Sequence, residues 1–388
     1  MNLSIYKRIY FFFIFLYFLQ SLKVWFLWNI PGGILGIICL LIALLYKKKI
    51  GFDKKNSNIW ILIIGIIACF FCYEFESILN VINILVMPIN AYILMMLNSN
   101  DKQKLLTFIR NGFFYLLLPS LPLFLLYLVG IDFINLGNQQ GPMEFYVVQN
   151  HIFFLSSDYG IRFQSYFCEP GHLGMILAFI LYSQRFNFKD KKNLYLLTNL
   201  LFTLSLAAYV LCFIGYFFTF IASLNRTNLI KYSVACIIVL IGSYYAIREI
   251  PILNELIFSR LQYDSTSQKF EGDNRVSYQT ALFFESLDLN TLWNGIGTRN
   301  TLLNDFSGTG IIIFIIQFGI KGLLSIFLYY LTMLLKYWDK TSILLLLFYC
   351  ISFYQRSYAL WACQVFLFIL IISNNKYGNN KLYGYNTK

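Results

Sequence analysis

Apolar runs close in length to the thickness of a lipid bilayer recur from one end of this chain to the other. They fall near residues 9–22, 28–46, 58–73, 78–97, 111–130, 171–184, 194–206, 208–224, 233–247, 309–335, 341–354 and 358–373. A helix needs about 20 apolar residues to cross the hydrocarbon core. In lipid only helices and closed barrels satisfy every backbone donor and acceptor, and the alternating pattern of barrel strands is absent from these runs. Only 12% of the 388 residues are charged and 59% are hydrophobic, against about 25% charged in an ordinary soluble domain. The chain reads as a single all-α polytopic membrane domain over 1–388, with about 12 transmembrane helices.

The parity of the crossings turns on one stretch. Asn193 to Asn225 carries no charge, and one helix of that length would rise roughly 45 Å, well past a core of about 30 Å. The alternative is two short helices broken near Ser205-Leu-Ala-Ala208. Lys and Arg accumulate in cytoplasmic loops. With two helices, most of the 30 basic residues share one side, among them Lys7, Arg8, Lys47 to Lys49, Lys102, Arg110, Arg185, Lys192, Arg226, Lys231, Lys336 and Lys340. With one helix, Arg226 and Lys231 would change sides against that bias. Two helices place both termini on the cytoplasmic side and leave two large outer loops, 131–170 and 248–308. The net charge of +12 follows from the inner clusters and does not call for nucleic acid. Lys7 and Arg8 precede the first run as in a signal peptide, but no small-residue cleavage site follows, so a retained first helix is expected.

Long loops in compact chains are commonly functional, and both outer loops mix aromatic residues with charges. In the first, Arg162, Glu169 and His172 lie within eleven residues, just before an apolar run. Pro170-Gly171 suits the first turn of a helix, whose free N–H groups and dipole favour an anion. Arg162 has the fork geometry for a phosphate; the plainer alternative is an interfacial Arg–Glu pair. The second loop offers Arg260, Arg275, Tyr278, Arg299 and Asp305, with two segments of near-helical apolar spacing, Ile252 to Ile257 and Ser277 to Leu287. Gly295-Ile-Gly297 lacks the third glycine and preceding strand of a dinucleotide site and reads as a tight turn.

Other motifs carry less. His151 and His172 are the two histidines, too isolated for a zinc set, and no metal is expected. Cys69-Phe-Phe-Cys72 has redox-pair spacing but lies inside an apolar run, where cysteine behaves as a small apolar residue. Glu74-Phe-Glu76 places two carboxylates at an outer helix mouth. Lys321 is the ionisable group furthest into an apolar run, where it either snorkels or faces a cavity. No phosphate-cradling loop, nucleophile elbow or zinc helix is present, so no ATP-hydrolysing activity and no cofactor are expected.

Arg162-Phe-Gln-Ser165, Phe167-Cys-Glu-Pro170 and Gly174 resemble the outer-loop motif of bacterial O-antigen and capsule polymerases. Asp273-Asn-Arg275 with Tyr278 and Ala281, then Trp293-Asn-Gly-Ile-Gly297, is similar to the second large loop of the wider polymerase and ligase superfamily. Gln317-Phe-Gly-Ile-Lys-Gly322 looks like the helix after that loop. Leu204-Ser205 matches a mid-chain helix start, although Leu206 stands where that superfamily has arginine. The resemblance covers roughly 160–335. It implies a metal-independent glycosyltransferase of the bacterial cytoplasmic membrane. Its donor is a glycan on undecaprenyl diphosphate, its acceptor is one lipid-linked repeat unit, and membrane lipids and a chain-length regulator are its other implied partners. By motif, Arg162 and Arg275 hold diphosphates, with Arg299 and Tyr278 as further substrate contacts. Asn304-Asp305-Phe-Ser307 has no histidine where related ligases carry one. The candidates for the proton acceptor are Glu169, His172 and Asp305, in that order. A lipid-linked oligosaccharide flippase and an O-antigen ligase are the alternative functions, with a channel or scaffold behind them.

Overall fold

The computed structural model describes residues 4–53, 58–75, 77–140, 147–156, 161–223, 263–264, 269–270, 276–304, 306 and 310–382. Its α-helices are α1 (Ile5–Ser21), α2 (Gly32–Leu45), α3 (Lys47–Ile50), α4 (Ile59–Cys72), α5 (Ile78–Met96), α6 (Ser99–Leu128), α7 (Pro170–Ser183), α8 (Lys191–Phe202), α9 (Leu206–Ser223), α10 (Tyr278–Glu285), α11 (Leu289–Asn294), α12 (Thr298–Leu303), α13 (Ile311–Leu335), α14 (Lys340–Gln355) and α15 (Ala362–Leu382). Every predicted apolar run is helical except 233–247, which lies outside the described residues. Among the described residues two helices, α6 and α13, are long and apolar enough to cross a membrane; the shorter apolar helices include α2, α4, α7 and α14.

A helix that is apolar all round belongs in an interior, and two such helices form the centre. Each residue of α7 is buried, as is α15 from Cys363 to Ser373. Around α15 pack α1, α5, α6 and α14, while α8 and α9 lie against α7. In the contact between α4 and α13, Cys69 and Cys72 are buried free thiols, and Cys72 Sγ donates to Gly322 O at 3.5 Å. The pair is packing, as its apolar setting predicts.

Polar contacts gather at two opposite ends of the bundle. One end holds the Lys7–Asp101 pair at 2.6 Å, the Arg110–Asp190 pair at 2.5 Å and Lys340 Nζ donating to Ile221 O at 3.0 Å. Here α8 begins and α9 ends. The break between them, Thr203 to Ser205, lies at the other end, where Phe163 N donates to Phe202 O at 3.0 Å and Leu204 adopts a φ of +46°. The uncharged stretch is therefore two antiparallel helices, broken two or three residues earlier than its composition suggested. One boundary is corrected more strongly. The run predicted at 111–130 starts at Ser99, because Asn98 caps Asp101 N–H at 2.8 Å and Asp101 meets the helix dipole.

The described residues of 131–170 include short strands. Asn138–Gln140, Val147–Asn150 and Leu155–Ser156 form a three-stranded antiparallel sheet, β1 to β3. Of the two amphipathic segments expected in the second loop, Ser277 to Leu287 becomes α10, while 252–257 lies outside the described residues.

Candidate functional site

Pro170 occupies the first turn of α7, so the preceding Glu169 is its N-cap. The Glu169 side chain does not cap the helix. It turns instead to Arg356, whose Nη1 lies 2.6 Å from Glu169 Oε2, with 9% and 18% of the two side chains exposed. Arg356 comes from the connection between α14 and α15, nearly two hundred positions away in the sequence. Gly171 makes the approach possible: a Cβ there would sit 2.3 Å from Arg356 Nη2. Pro170-Gly171 thus serves two ends, a rigid helix start and a bare surface for a guanidinium. Burial works against the Arg356 charge, but the Glu169 carboxylate and Tyr358 outweigh it and hold the group above its usual pKa.

His172 is fully buried one turn further on, its Nε2 3.7 Å from Glu169 Oε2. Tyr358 and Trp361, stacked on each other at 3.9 Å, both present their rings to the imidazole at 5.2 and 5.3 Å. Neither ring nitrogen of His172 has a hydrogen-bond partner. Beside this cluster, burial pushes the Cys168 thiol up to about 12, so it is not a nucleophile at neutral pH. Cys168 Sγ donates to Lys23 O at 3.4 Å, which brings the 22–28 connection, and with it a second cation, to the same corner.

Below Arg356 a crevice of about 140 Å³ runs between α13 and α14. Its walls are apolar, with Leu323, Ile326, Phe327, Leu346 and Phe353 prominent, and Arg356 stands at its polar end. The Arg356 guanidinium thus stands at the mouth of a greasy slot, with the Glu169 carboxylate paired to it and the buried His172 imidazole behind that carboxylate. Such a group can hold an anion and take up a proton in a partly dry setting.

The remaining candidates are scattered. Arg162 reaches the break between α8 and α9, with Nε 3.3 Å from Thr203 O; Thr203 in turn lies against Gly174 of α7, so Arg162 flanks the same helix start. Next to it, Gln164 is fully buried with neither amide atom hydrogen-bonded. Arg299 and Tyr278 are exposed on α12 and α10, which pack on α13. Their described contacts run to α13 and Glu74. Arg275 and Asp305 lie outside the described residues. Glu74 is a cap: its carboxylate accepts from Arg299 N at 3.3 Å, at the start of α12. Glu76 also lies outside the described residues.

Lys321 follows a break in α13 at Gly319, and its Nζ donates to Asn294 Oδ1 at 3.0 Å, which ties it to the α11 end of the helix. Among the described residues no group of three His, Cys, Asp or Glu could hold a metal ion. No protein-family model, curated protein or solved structure matches this chain.

His151 is a packing residue. Its ring stacks on Phe154 at 4.7 Å and its Nε2 lies 3.0 Å from Ser156 Oγ. Burial lowers its pKa, so the folded chain binds its proton less readily than the unfolded one. The resulting stability is complete above the ordinary histidine value of about 6.5 and is lost as pH falls below it. Amide hydrogen exchange across β2 and β3 is expected to speed up between pH 7 and 5 beyond its intrinsic pH dependence. That excess should vanish in His151→Phe.

Arg356 is the residue that the motifs did not single out. The signal was present in Tyr354-Gln-Arg-Ser-Tyr-Ala-Leu-Trp361: an arginine in a short connection between two apolar runs, flanked by aromatic residues.

Proposed function

We propose that this chain is a twelve-span protein of a bacterial cytoplasmic membrane, with both termini inside, that polymerises lipid-linked glycan repeat units at its outer face. The observation that supports this reading best is the Glu169–Arg356 pair, with His172 beside it, at the head of an apolar crevice. A lipid diphosphate substrate needs that combination: an apolar channel for its tail, a guanidinium for its phosphates and a base near both. The donor glycan is carried on undecaprenyl diphosphate and the acceptor is a second lipid-linked repeat.

In the transfer, an acceptor hydroxyl oxygen forms the new bond to the donor's anomeric carbon as that carbon's bond to the diphosphate oxygen breaks. The bonding pair leaves with the lipid diphosphate, whose growing charge is met by guanidinium groups. The hydroxyl proton passes to Glu169, a step that contributes about 10²–10⁴-fold in comparable sites. Arg162, at the same helix start, is the second candidate for the phosphates. The resemblance of its motif and the apolar mouth favour the polymerase over the flippase, for which a charge deep in the bundle would be expected; Lys321 is tied to Asn294 instead.

The test is chain length in cells. Arg162→Ala and Glu169→Gln are each expected to leave exported single repeat units and no long polymer. Wild-type chain lengths from both variants would remove the reading.

A further inference from the structure

Three observations about the crevice point the same way. Two of its lining residues, Phe327 on α13 and Cys350 on α14, are exposed. Its polar end is the Arg356 guanidinium, a buried cation paired with the Glu169 carboxylate at 2.6 Å. Deep in its wall Gln364 is 3% exposed, and its Oε1 has no hydrogen-bond partner. A buried acceptor without a donor costs free energy, and a ligand hydroxyl would supply that donor.

We propose that the crevice binds the head of a long-chain isoprenoid phosphate, and that Glu169 is the resident counter-ion which the lipid phosphate displaces from Arg356. The isoprenoid identity of the tail rests on the function proposed above; the crevice chemistry itself asks for one apolar chain with an anionic head. A guanidinium pairs with carboxylate and phosphate through the same two-pronged geometry, so the exchange leaves Arg356 satisfied. It leaves Glu169 next to His172 without its guanidinium, and thus a better proton acceptor once the lipid is seated. Arrival of the donor then prepares the base. Phe327 and Cys350 mark where the tail enters from the surrounding lipid.

Cys350 gives a readout in the unaltered protein. The full-length chain in lipid nanodiscs is alkylated with a maleimide, and modification of the Cys350 peptide is followed by mass spectrometry. Undecaprenyl phosphate at ten times its Kd is expected to slow Cys350 alkylation roughly tenfold by mass action. Inorganic pyrophosphate and diacyl phosphatidate at that concentration should give little protection. Arg356→Ala is expected to raise the lipid concentration needed by about tenfold or more. Glu169→Gln is expected to lower it by about tenfold, the equivalent of 1.4 kcal/mol, because the competing carboxylate is gone.

Absence of protection in the unaltered chain overturns the site, and so does equal protection by pyrophosphate or phosphatidate. A Glu169→Gln chain needing as much lipid as the unaltered one, or more, overturns the exchange. Polymer formation in cells is scored separately. A chain that binds the lipid as described yet supports no polymerisation removes the polymerase reading and leaves the site in place.

Discussion

Arg356→Ala is expected to be both unstable and inactive, and a second substitution should separate the two losses. The guanidinium and Glu169 are mostly buried, and removing one member of a buried pair costs about 3–5 kcal/mol because the other charge is left without compensation. The yield of folded protein and its melting temperature in detergent should both fall sharply. Replacing the pair together, as in Glu169→Gln with Arg356→Met, restores neutrality at similar volume and is expected to recover most of the melting temperature. Polymer chains should still be absent in the double variant, since both the phosphate ligand and the base are gone. If the double variant made long chains, the pair would be structural and the site would lie elsewhere. If Arg356→Ala melted like the unaltered chain, the charge on Glu169 would have another partner.

The sequence held the helices and hid the pair. Apolar runs of bilayer length mark helices wherever they occur, and parity followed from one uncharged stretch and the side on which Lys and Arg gather. Thr203 to Ser205 lies at the opposite end from Asp190 and Ile221, the break expected within the uncharged stretch, while Arg226 and Lys231, on which the charge argument turned, lie outside the described residues. The cluster at the start of α7 was half legible. Glu169 and His172 stand together in sequence beside Pro170-Gly171, a local signature. Arg356 is distant in sequence, and nothing in a single chain says which of several loop arginines returns to which helix start. Arg299 illustrates the same limit from the other side: it lies in a motif-rich stretch, yet its contribution to structure is a backbone N–H offered to Glu74. The beginning of α6 was misplaced for a different reason. Its first three turns carry Asp101, Lys102, Lys104 and Arg110, which an apolar count rejects but a capped helix end accepts.

The other large effect concerns a glycine that hydropathy cannot flag. Gly319 is expected to tolerate no side chain. It breaks α13 with φ +67° and ψ −178°, a region populated essentially by glycine alone, where another residue carries about 1–3 kcal/mol of strain. A Cβ at Gly319 would also lie 2.1 Å from Trp293 O. Facing it, Gly295 has φ +71°, and a Cβ there would meet Gln317 O at 2.4 Å. Two backbones touch here, and Ile296 N and Gly297 N donate to Ile316 O and Gln317 O at 2.8 and 2.9 Å. The Gly-Ile-Gly and Gln-Phe-Gly segments are the two halves of one seam, which pins α11 and α12 to α13. Gly319→Ala should open it, lowering the melting temperature and exposing 286–304 to limited proteolysis. Gly32, with nothing within 4 Å of its would-be Cβ, is the matched control, and Gly32→Ala should change neither readout. Equal melting and equal proteolysis for the two alanine variants would show that the seam does not hold the outer helices in place.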